Sequence, residues 1–234
     1  MEPESVDADC PRSDQWSAVV SRHDCVCPQA VRNDAGEFLF DDEDLEGLGG
    51  FYRLLSRLWV AEIDQEWLEA LTEGSLSDVA RDLELPVGEA SADEVERLAV
   101  DFCGLMIGPQ GHVAPHQSVW SEGQFQGNTV ISMQQFLDVV GEEVESSMSD
   151  HLGVQLGVMG RIVEELAGSP DDAGKRDDLV ELGQAFFVTH VAWIEQFLAR
   201  AAESNGSDFY GRLIEITAEF LEQERTTWIV EPSN

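Results

Sequence analysis

Apolar residues recur at every third or fourth position over most of this 234-residue chain, and that spacing limits its fold more than any other feature. A period near 3.6 residues places such side chains on one face of an α-helix, whereas a half-buried strand needs strict alternation. Convincing alternating segments are absent, so the sequence predicts an all-α protein. The first two helical stripes contain Phe51, Leu54, Leu55, Leu58 and Trp59, then Trp67, Leu68 and Leu71.

Later segments show the same helical period. Ser91 is expected to cap a helix that carries Asp93 and Glu94 in its first turn and stops at Gly108-Pro109. His190 lies on the apolar face of another segment, so we expect a core histidine whose imidazole has a hydrogen-bond partner. The remaining helices are expected near 129–140, 150–167, 177–202 and 207–225.

Acidic residues outnumber basic residues 47 to 13, which gives a net charge of -34. The acids are spread along the whole chain instead of forming a tail, and Lys175 is the single lysine. In multimolar KCl the Debye length falls to about 3 Å or less, which screens the repulsion among surface carboxylates. We therefore expect the protein of a salt-in halophile. No nucleic acid is expected as a partner, because the sequence has no basic stripe.

Residues 1–36 mix Pro, Ser, Asp and Asn without a sustained period, so we expect a poorly ordered acidic extension with a short helix near Trp16. This segment lacks a positively charged start followed by an apolar core, and no later stretch offers the roughly twenty uncharged apolar residues of a membrane span. We expect a cytoplasmic protein without stable membrane insertion. The cysteine spacing fits no disulfide framework, which predicts reduced thiols at Cys10, Cys25, Cys27 and Cys103.

The stretch 102–137 contains one formal charge, Glu122, in a chain of which 26% of residues are charged. Its glycines, prolines and polar residues exclude a single long buried helix. Since acids normally mark the exposed surface of such a chain, this stretch is expected to be either buried between lobes or covered by a partner. Two acid-free runs, 151–160 and 182–194, are predicted to be core helices that flank the same groove.

Asp150 and His151 stand at the start of a predicted helix, where they could serve catalysis, capping or binding. The Asp150 carboxylate can cap free N–H groups there, and the helix dipole favours its charge, but capping leaves His151 unexplained. Catalysis would need a nucleophile within reach of an imidazole, and the sequence has no G-x-S-x-G pattern. Neither a G-x4-G-K-[ST] loop nor a G-x-G-x-x-G after a strand is present for a nucleotide.

A metal site could use His112 and His116, with His151 or His190 as a further ligand. Neighbouring glycine and proline residues make this segment a loop, however, and no H-E-x-x-H pattern accompanies it. The segment HDCVCP at 23–28 has a C-x-C spacing and not the C-x2-C of a zinc knuckle. The sequence therefore predicts no metal site.

Several motifs occur in the order and approximate spacing of a known family. The most specific is G-P-x(5)-P-x-x-S-V-[WY] at 108–120, which we call the signature loop, followed by Asp-His-Leu at 150–152. With the flanking helices, the chain resembles the TorD/DmsD/NarJ family of redox-enzyme maturation chaperones over roughly residues 50–222. The supporting segments read FYRLLSRLW, FCGLMIGPQGHVAPHQSVW, DHLGVQLGVM, FFVTHVAWIEQFL and DFYGRLIEITAEFL.

The resemblance implies an all-helical fold of two lobes, 37–140 and 151–228, joined by a hinge at 141–150. It implies a non-enzymatic cytoplasmic chaperone that binds the twin-arginine signal peptide and the apo catalytic subunit of an exported molybdoenzyme. The chaperone would assist cofactor insertion before export, and the client would be a dimethyl sulfoxide, trimethylamine oxide or nitrate reductase. The chain itself is expected to hold no cofactor, and to be a monomer or a domain-swapped dimer.

By motif position, the resemblance assigns recognition of the signal peptide to Asp150 and His151, and the signature loop to Pro115, Ser118 and Trp120. A diffuse acidic surface attracts an arginine pair only weakly in high salt, so affinity should come from apolar burial and short hydrogen bonds. Asp150 could accept from an arginine or a backbone N–H group, and Trp120 could supply an apolar wall with an N–H donor.

Two other functions stay open at this point. The first is a small hydrolase or nucleotide-dependent enzyme that uses Asp150-His151. The second is a helical interaction protein, which would bind unrelated apolar peptides equally well.

Overall fold

Helices form the regular structure of the computed structural model, which describes residues 41–107, 112–144, 148–169 and 172–229. No strand is present in these ranges, so the all-α prediction is confirmed. None of the helices in the described part is long and apolar enough to cross a membrane. In chain order the α-helices are α1 (Asp42–Val60), α2 (Gln65–Thr72), α3 (Ser77–Asp82), α4 (Ala92–Met106), α5 (Gln117–Glu122), α6 (Asn128–Val140), α7 (Leu152–Ala167), α8 (Ala173–Phe186), α9 (Ile194–Ser204) and α10 (Asp208–Trp228).

Polar caps fix where many of these helices begin. In five helices the side chain before the first turn accepts a hydrogen bond from the backbone N–H three residues later, which satisfies a donor that has no partner inside the helix. The cap predicted at Ser91 is one of them and is confirmed. The capping residues are Asp41, Asp64, Ser91, Asp172 and Ser207.

Glycines in α7 let this helix pack against α1 at short distance. A Cβ atom on Gly153 would lie 2.8 Å from the backbone nitrogen of Val60 and 2.9 Å from the carbonyl oxygen of Ser56. A Cβ on Gly160 would lie 3.2 Å from the Cβ of Tyr52. The predicted core run 151–160 is confirmed, because most of its residues are buried. The close approach fixes the first turn of α7 relative to the end of α1.

The core also joins α1 to α10 through polar contacts. The hydroxyl of Tyr52 donates to Glu224 at 2.7 Å, and the indole N–H of Trp59 donates to Thr217 at 2.9 Å. Burial raises the pKa of the Glu224 carboxyl. The buried apolar cluster includes residues from both sides of 141–150, and the C-cap of α6 is Gly141, where the predicted hinge begins. The division into two lobes with a hinge at 141–150 stays a prediction.

The helix predicted over 177–202 is interrupted, so that prediction was wrong in its continuity. Helix α8 ends at Phe186, a π-helical turn covers Phe187–Val191, and α9 begins at Ile194. The extra residue that a π-turn inserts cannot be seen in the spacing of apolar residues, because the buried side chains of the turn still face the core. The run 182–194 is a core segment, as predicted.

The extension predicted at 1–36 lies outside the described residues, as do Trp16, the segment 23–28 and three of the cysteines. Two short helices, α3 and α5, were missed by the sequence interpretation. Each has six residues, which is too short to show an apolar period.

Candidate functional site

Residues 115–117 of the signature loop lie directly against the start of α7. The backbone N–H of Gln117 donates to the carbonyl of Asp150 at 3.0 Å, and the N–H of Leu152 donates to the carbonyl of Pro115 at 2.9 Å. These bonds form an isolated antiparallel bridge between His116 and His151. The structure therefore brings the signature loop and the Asp-His pair together, although 34 residues separate Asp150 from His116 along the chain.

Asp150 is the polar centre of this junction. Its side chain is buried, with 1% of the residue exposed, and its Oδ2 accepts the backbone N–H of Ser118 at 2.9 Å. Its Oδ1 lies 3.1 Å from Nδ1 of His116. Burial alone would raise the pKa of Asp150, but the hydrogen bonds from His116 and Ser118 outweigh it and lower that pKa. The carboxyl is therefore ionised near neutral pH, and Nδ1 of His116 is the donor in their hydrogen bond.

Capping is arranged differently from the prediction. Asp150 was expected to cap α7 and His151 had no structural explanation, but His151 is the N-cap of α7, and its Nδ1 accepts the N–H of Gly153 at 3.1 Å. Asp150 instead accepts from the first turn of α5. The expectation was wrong because the N-cap of α7 is His151, one residue after Asp150, and the Asp150 side chain is bonded to the signature loop.

His151 is held as a neutral imidazole. Burial lowers its pKa to about 3, with a further lowering by the nearby His116 and an opposing effect of Asp150. The rings of His116 and His151 meet edge to face with centroids 5.1 Å apart. A neutral Nδ1 can accept the capping N–H group, whereas a protonated one cannot.

The other predicted site residues form the inner side of the signature loop. Pro115 and Ser118 are buried, and Trp120 is half-buried. The indole N–H of Trp120 donates to the carbonyl of Ala114 at 2.8 Å, which closes the loop on itself. The Trp120 ring also packs against Phe197 with centroids 6.4 Å apart. Of the five predicted residues, Trp120 is the one with a substantial solvent-facing part.

Gln117 was missed by the sequence interpretation, although it is the hub of a buried polar network. Its Nε2 donates to the carbonyl of Thr189 at 2.6 Å. Its Oε1 accepts from Nε2 of Gln155 at 2.7 Å and from Nδ1 of His190 at 2.8 Å. The network ties α5 to α7 and to the π-turn. The sequence offered one signal for Gln117. Like Gln155, it is an uncharged polar residue within a stretch that has almost no acidic residues.

His190 is a core histidine with hydrogen-bond partners, as predicted. It is 0% exposed, and its Nε2 lies 2.9 Å from the hydroxyl of Ser132, which extends the network to α6. The indole N–H of Trp193 donates to Gln155 at 2.7 Å and to the carbonyl of His190 at 3.0 Å. The polar side chains of this network therefore rigidify the junction of α5, α6, α7 and the π-turn.

Glu122, the lone acid of the stretch 102–137, caps helix α6. Its two carboxylate oxygens accept the backbone N–H groups of Asn128 and Thr129, each at 2.9 Å. These hydrogen bonds, that of Asn128 first, lower the pKa of Glu122. This single charge lies at the start of α6, where the carboxylate faces the backbone N–H groups of the first turn and is favoured by the helix dipole.

Metal and thiol chemistry have little support among the described residues. In those ranges no three His, Cys, Asp or Glu side chains are grouped to hold a metal ion. Asp150 is paired with His116, so the Asp150-His151 pair on which the enzyme alternative depends is not hydrogen-bonded as a unit. Cys103 is a free thiol that donates to Glu62 at 3.2 Å, and this hydrogen bond, with burial, raises its pKa. A thiol with a raised pKa is a weak nucleophile.

Comparison with known proteins identifies the family. The profile described as "Nitrate reductase delta subunit" matches residues 61–199. A chaperone protein TorD of Shewanella sp. (strain MR-4) is 28% identical over 202 residues, which cover 74% of this chain and 90% of that protein. A chaperone protein TorD of Vibrio vulnificus (strain YJ016) is 25% identical over 194 residues, covering 72% and 88%. These relatives are named as chaperones, in agreement with the prediction of a non-enzymatic protein. The chain belongs to the nitrate reductase delta subunit family, which is the TorD/NarJ family that its motifs resembled.

Proposed function

We propose that this chain is a maturation chaperone for an exported molybdoenzyme. It would bind the twin-arginine signal peptide and the apo catalytic subunit, and assist cofactor insertion before export. The observation that carries the proposal is the junction at Asp150, which ties the signature loop to α7 in a chain whose relatives are named TorD chaperones. The serine hydroxyl at this junction, that of Ser118, is buried, so the junction suits the positioning of a binding surface better than it suits catalysis.

The proposed residues would act in two ways. Asp150 and His151, which are 1% and 3% exposed, would act mainly by holding the signature loop in its binding conformation. Pro115 and Ser118 would form the buried side of that loop, and the half-buried Trp120 would offer an apolar wall to the peptide. Such a preformed loop lowers the entropy cost of ordering the surface when the peptide binds.

Affinity in this chain would come from apolar burial. With a net charge of -34, the surface attracts cations everywhere, and screening by molar salt removes most of that attraction. Apolar burial contributes about 25 cal/mol per Å² and is not screened. The acid-poor stretch 102–137 supplies apolar side chains and only one carboxylate, that of Glu122.

Calorimetric titration with a twin-arginine signal peptide in several molar KCl tests the proposal. We expect saturable one-to-one binding, and weaker binding of a control peptide in which the arginine pair is replaced by glutamine. Equal binding of a scrambled apolar peptide would favour an unspecific helical interaction protein instead. Absence of binding to the signal peptide would overturn the proposal.

The setting of this activity is part of the same proposal. We place the chaperone in the cytoplasm of a salt-in halophile, with a dimethyl sulfoxide, trimethylamine oxide or nitrate reductase subunit as client. It would act as a monomer or as a domain-swapped dimer. Co-purification from cells grown on each of these electron acceptors, followed by mass spectrometry, identifies the client, and capture of none of the three reductases would contradict this assignment.

A further inference from the structure

Two large apolar side chains are exposed on one side of α4. Val100 is 64% exposed, and Ile107, the C-cap residue of the helix, is 65% exposed. They lie about seven residues, or two helical turns, apart, so both face the same side. Cys103 is partly exposed between them, and a Cβ atom on Gly104 would meet no described atom within 4 Å. We call these four residues the α4 face.

The α4 face is uncharged in a chain whose exposed surface is marked by acids. Acidic residues make up 47 of 234, yet none lies in 102–107. The preceding acid, Asp101, is bound to Arg97 at 2.9 Å and to the hydroxyl of Ser207 at 2.7 Å. Neighbouring apolar side chains that stay exposed on such a surface indicate an interaction site.

The α4 face lies beside the end of α1. The thiol of Cys103 donates to Glu62 at 3.2 Å, and Glu62 follows the last residue of α1 by two positions. Helix α1 has 19 residues and is therefore about 28 Å long. Cys27 precedes the start of α1 by fifteen positions, and an extended chain of that length spans up to about 50 Å. The segment that precedes α1 can therefore reach the α4 face.

Residues 10–32 are as poor in acids as the stretch 102–137. Their acids are Asp14 and Asp24, and three arginines balance them, in a chain with a net charge of -34. Because acids keep the exposed surface of this chain hydrated, an apolar segment with so few of them favours a covered position. The larger apolar side chains of the segment are Trp16, Val19, Val20, Val26 and Val31.

We propose that the α4 face binds residues 10–32 of the same chain, which buries Val100 and Ile107 and brings Cys25 and Cys27 close to Cys103. A second copy of the chain is a poorer occupant, because a tethered segment within reach has an effective concentration on the order of 1 mM, which a dilute protein solution does not approach. The inference does not depend on the proposed function, since neither the surface nor the occupant belongs to it.

Cross-linking of the native thiols tests the proposal in the full-length chain. A short bismaleimide is added to dilute protein in several molar KCl, and the linked peptides are identified by mass spectrometry. We expect a link from Cys103 to Cys25 or Cys27 within one chain. A link from Cys103 to a second chain would show that another copy occupies the face, and absence of any link to Cys103 would also overturn the proposal.

A matched pair of double variants shows whether the apolar contact directs this link. Val100→Ser/Ile107→Ser should lower the rate of cross-linking about tenfold, because the segment loses the two side chains that it buries. Ile131→Ser/Val188→Ser removes the same two kinds of side chain from α6 and the π-turn, where they are 63% and 50% exposed, and should leave the rate unchanged. Equal rates in the wild type and both variants would overturn the proposal, as would equal losses in the two variants.

A substitution in the segment itself repeats the test without altering any described helix. Trp16→Ser/Val20→Ser should lower the cross-linking rate as strongly as Val100→Ser/Ile107→Ser. Hydrogen exchange gives a readout that does not use the thiols: amides of residues 10–32 should exchange more slowly in the wild type than in either variant. Equal exchange in all three proteins would contradict binding. Circular dichroism of each variant confirms that the helices are retained.

Discussion

The carboxylate of Asp150 accepts the backbone N–H of Ser118 at 2.9 Å, so a residue two positions before α7 binds the first turn of α5. Its other oxygen accepts from His116, and both donors belong to the signature loop. The loop is thus held by an ionised group that is nearly inaccessible to water.

Asp150→Ala should lower the free energy of unfolding by about 2–3 kcal/mol, because it leaves buried donors on Ser118 and His116 without their acceptor. Denaturant unfolding at fixed KCl measures this loss. Asp138→Ala is the control, since Asp138 is an exposed acid on α6 and should change stability by less than about 0.5 kcal/mol. Equal effects of the two substitutions would show that the junction contributes nothing.

Because His151 is neutral in the folded protein, the free energy of unfolding should depend on pH. Its folded pKa of about 3 lies below the ordinary value of 6.5, so the unfolded chain binds the extra proton between these values. Its contribution to stability is fully present above pH 6.5 and is lost as the pH falls towards 3. The slope from this group approaches about 1.4 kcal/mol per pH unit.

His151→Asn isolates that contribution, because asparagine can cap the helix but does not titrate. Denaturant unfolding between pH 7 and about 4.5 should give a shallower decline for the variant than for the wild type. Identical slopes would mean that His151 is protonated in the folded protein.

Because α7 packs closely against α1, substitutions at the glycines of α7 should differ in their effect on stability. Gly153→Ala should destabilise the protein by about 1–3 kcal/mol, because the new methyl group meets the backbone of Val60 and Ser56. Gly157→Ala should be tolerated, since its methyl group meets only the movable hydroxyl of Ser56 at 3.0 Å, and alanine favours a helix by up to about 1 kcal/mol. Thermal unfolding of both variants tests the difference, and a larger loss for Gly157→Ala would contradict the packing.

Gln117→Leu should cost about 2–4 kcal/mol, because Thr189, Gln155 and His190 lose their buried partner at once. Gln134→Leu, on the surface of α6, is a control with little expected effect, since the hydrogen bond of Gln134 to Asp138 is exposed. Hydrogen exchange should show faster exchange in α5 and in the π-turn of Gln117→Leu. Unchanged hydrogen exchange in α5 and in the π-turn would show that Gln117 does not hold the polar network together.

Most of the helices could be predicted from the sequence, because the spacing of apolar residues in an amphipathic helix is visible even when the helices it packs against are unknown. Phe51 to Trp59 and the cap at Ser91 are examples. The π-turn at His190 could not be found this way, since it changes the backbone and not the pattern of apolar residues. The six-residue helix that starts at Gln117 is shorter than two turns and leaves no readable period.

The motifs pointed to part of the polar junction at Asp150, and its role in binding stays a prediction. The motifs named Asp150 and Ser118, which a hydrogen bond joins, and Trp120, whose indole N–H donates to Ala114 in the same loop. Spacing alone could not show that Asp150 binds the first turn of a helix 32 residues upstream, because hydrogen bonds between distant segments have no period. For the same reason Gln117 was overlooked, and the capping role was assigned to Asp150 instead of His151.

Titration of the twin-arginine signal peptide against the wild type, Asp150→Ala and Asp138→Ala, at a KCl concentration and temperature where all three are folded, tests the central claim most directly. The account predicts equal affinities for the wild type and Asp138→Ala, and binding at least about tenfold weaker for Asp150→Ala, because the loop loses charge-assisted hydrogen bonds. Equal affinity of all three proteins, or no binding by any of them, would contradict it.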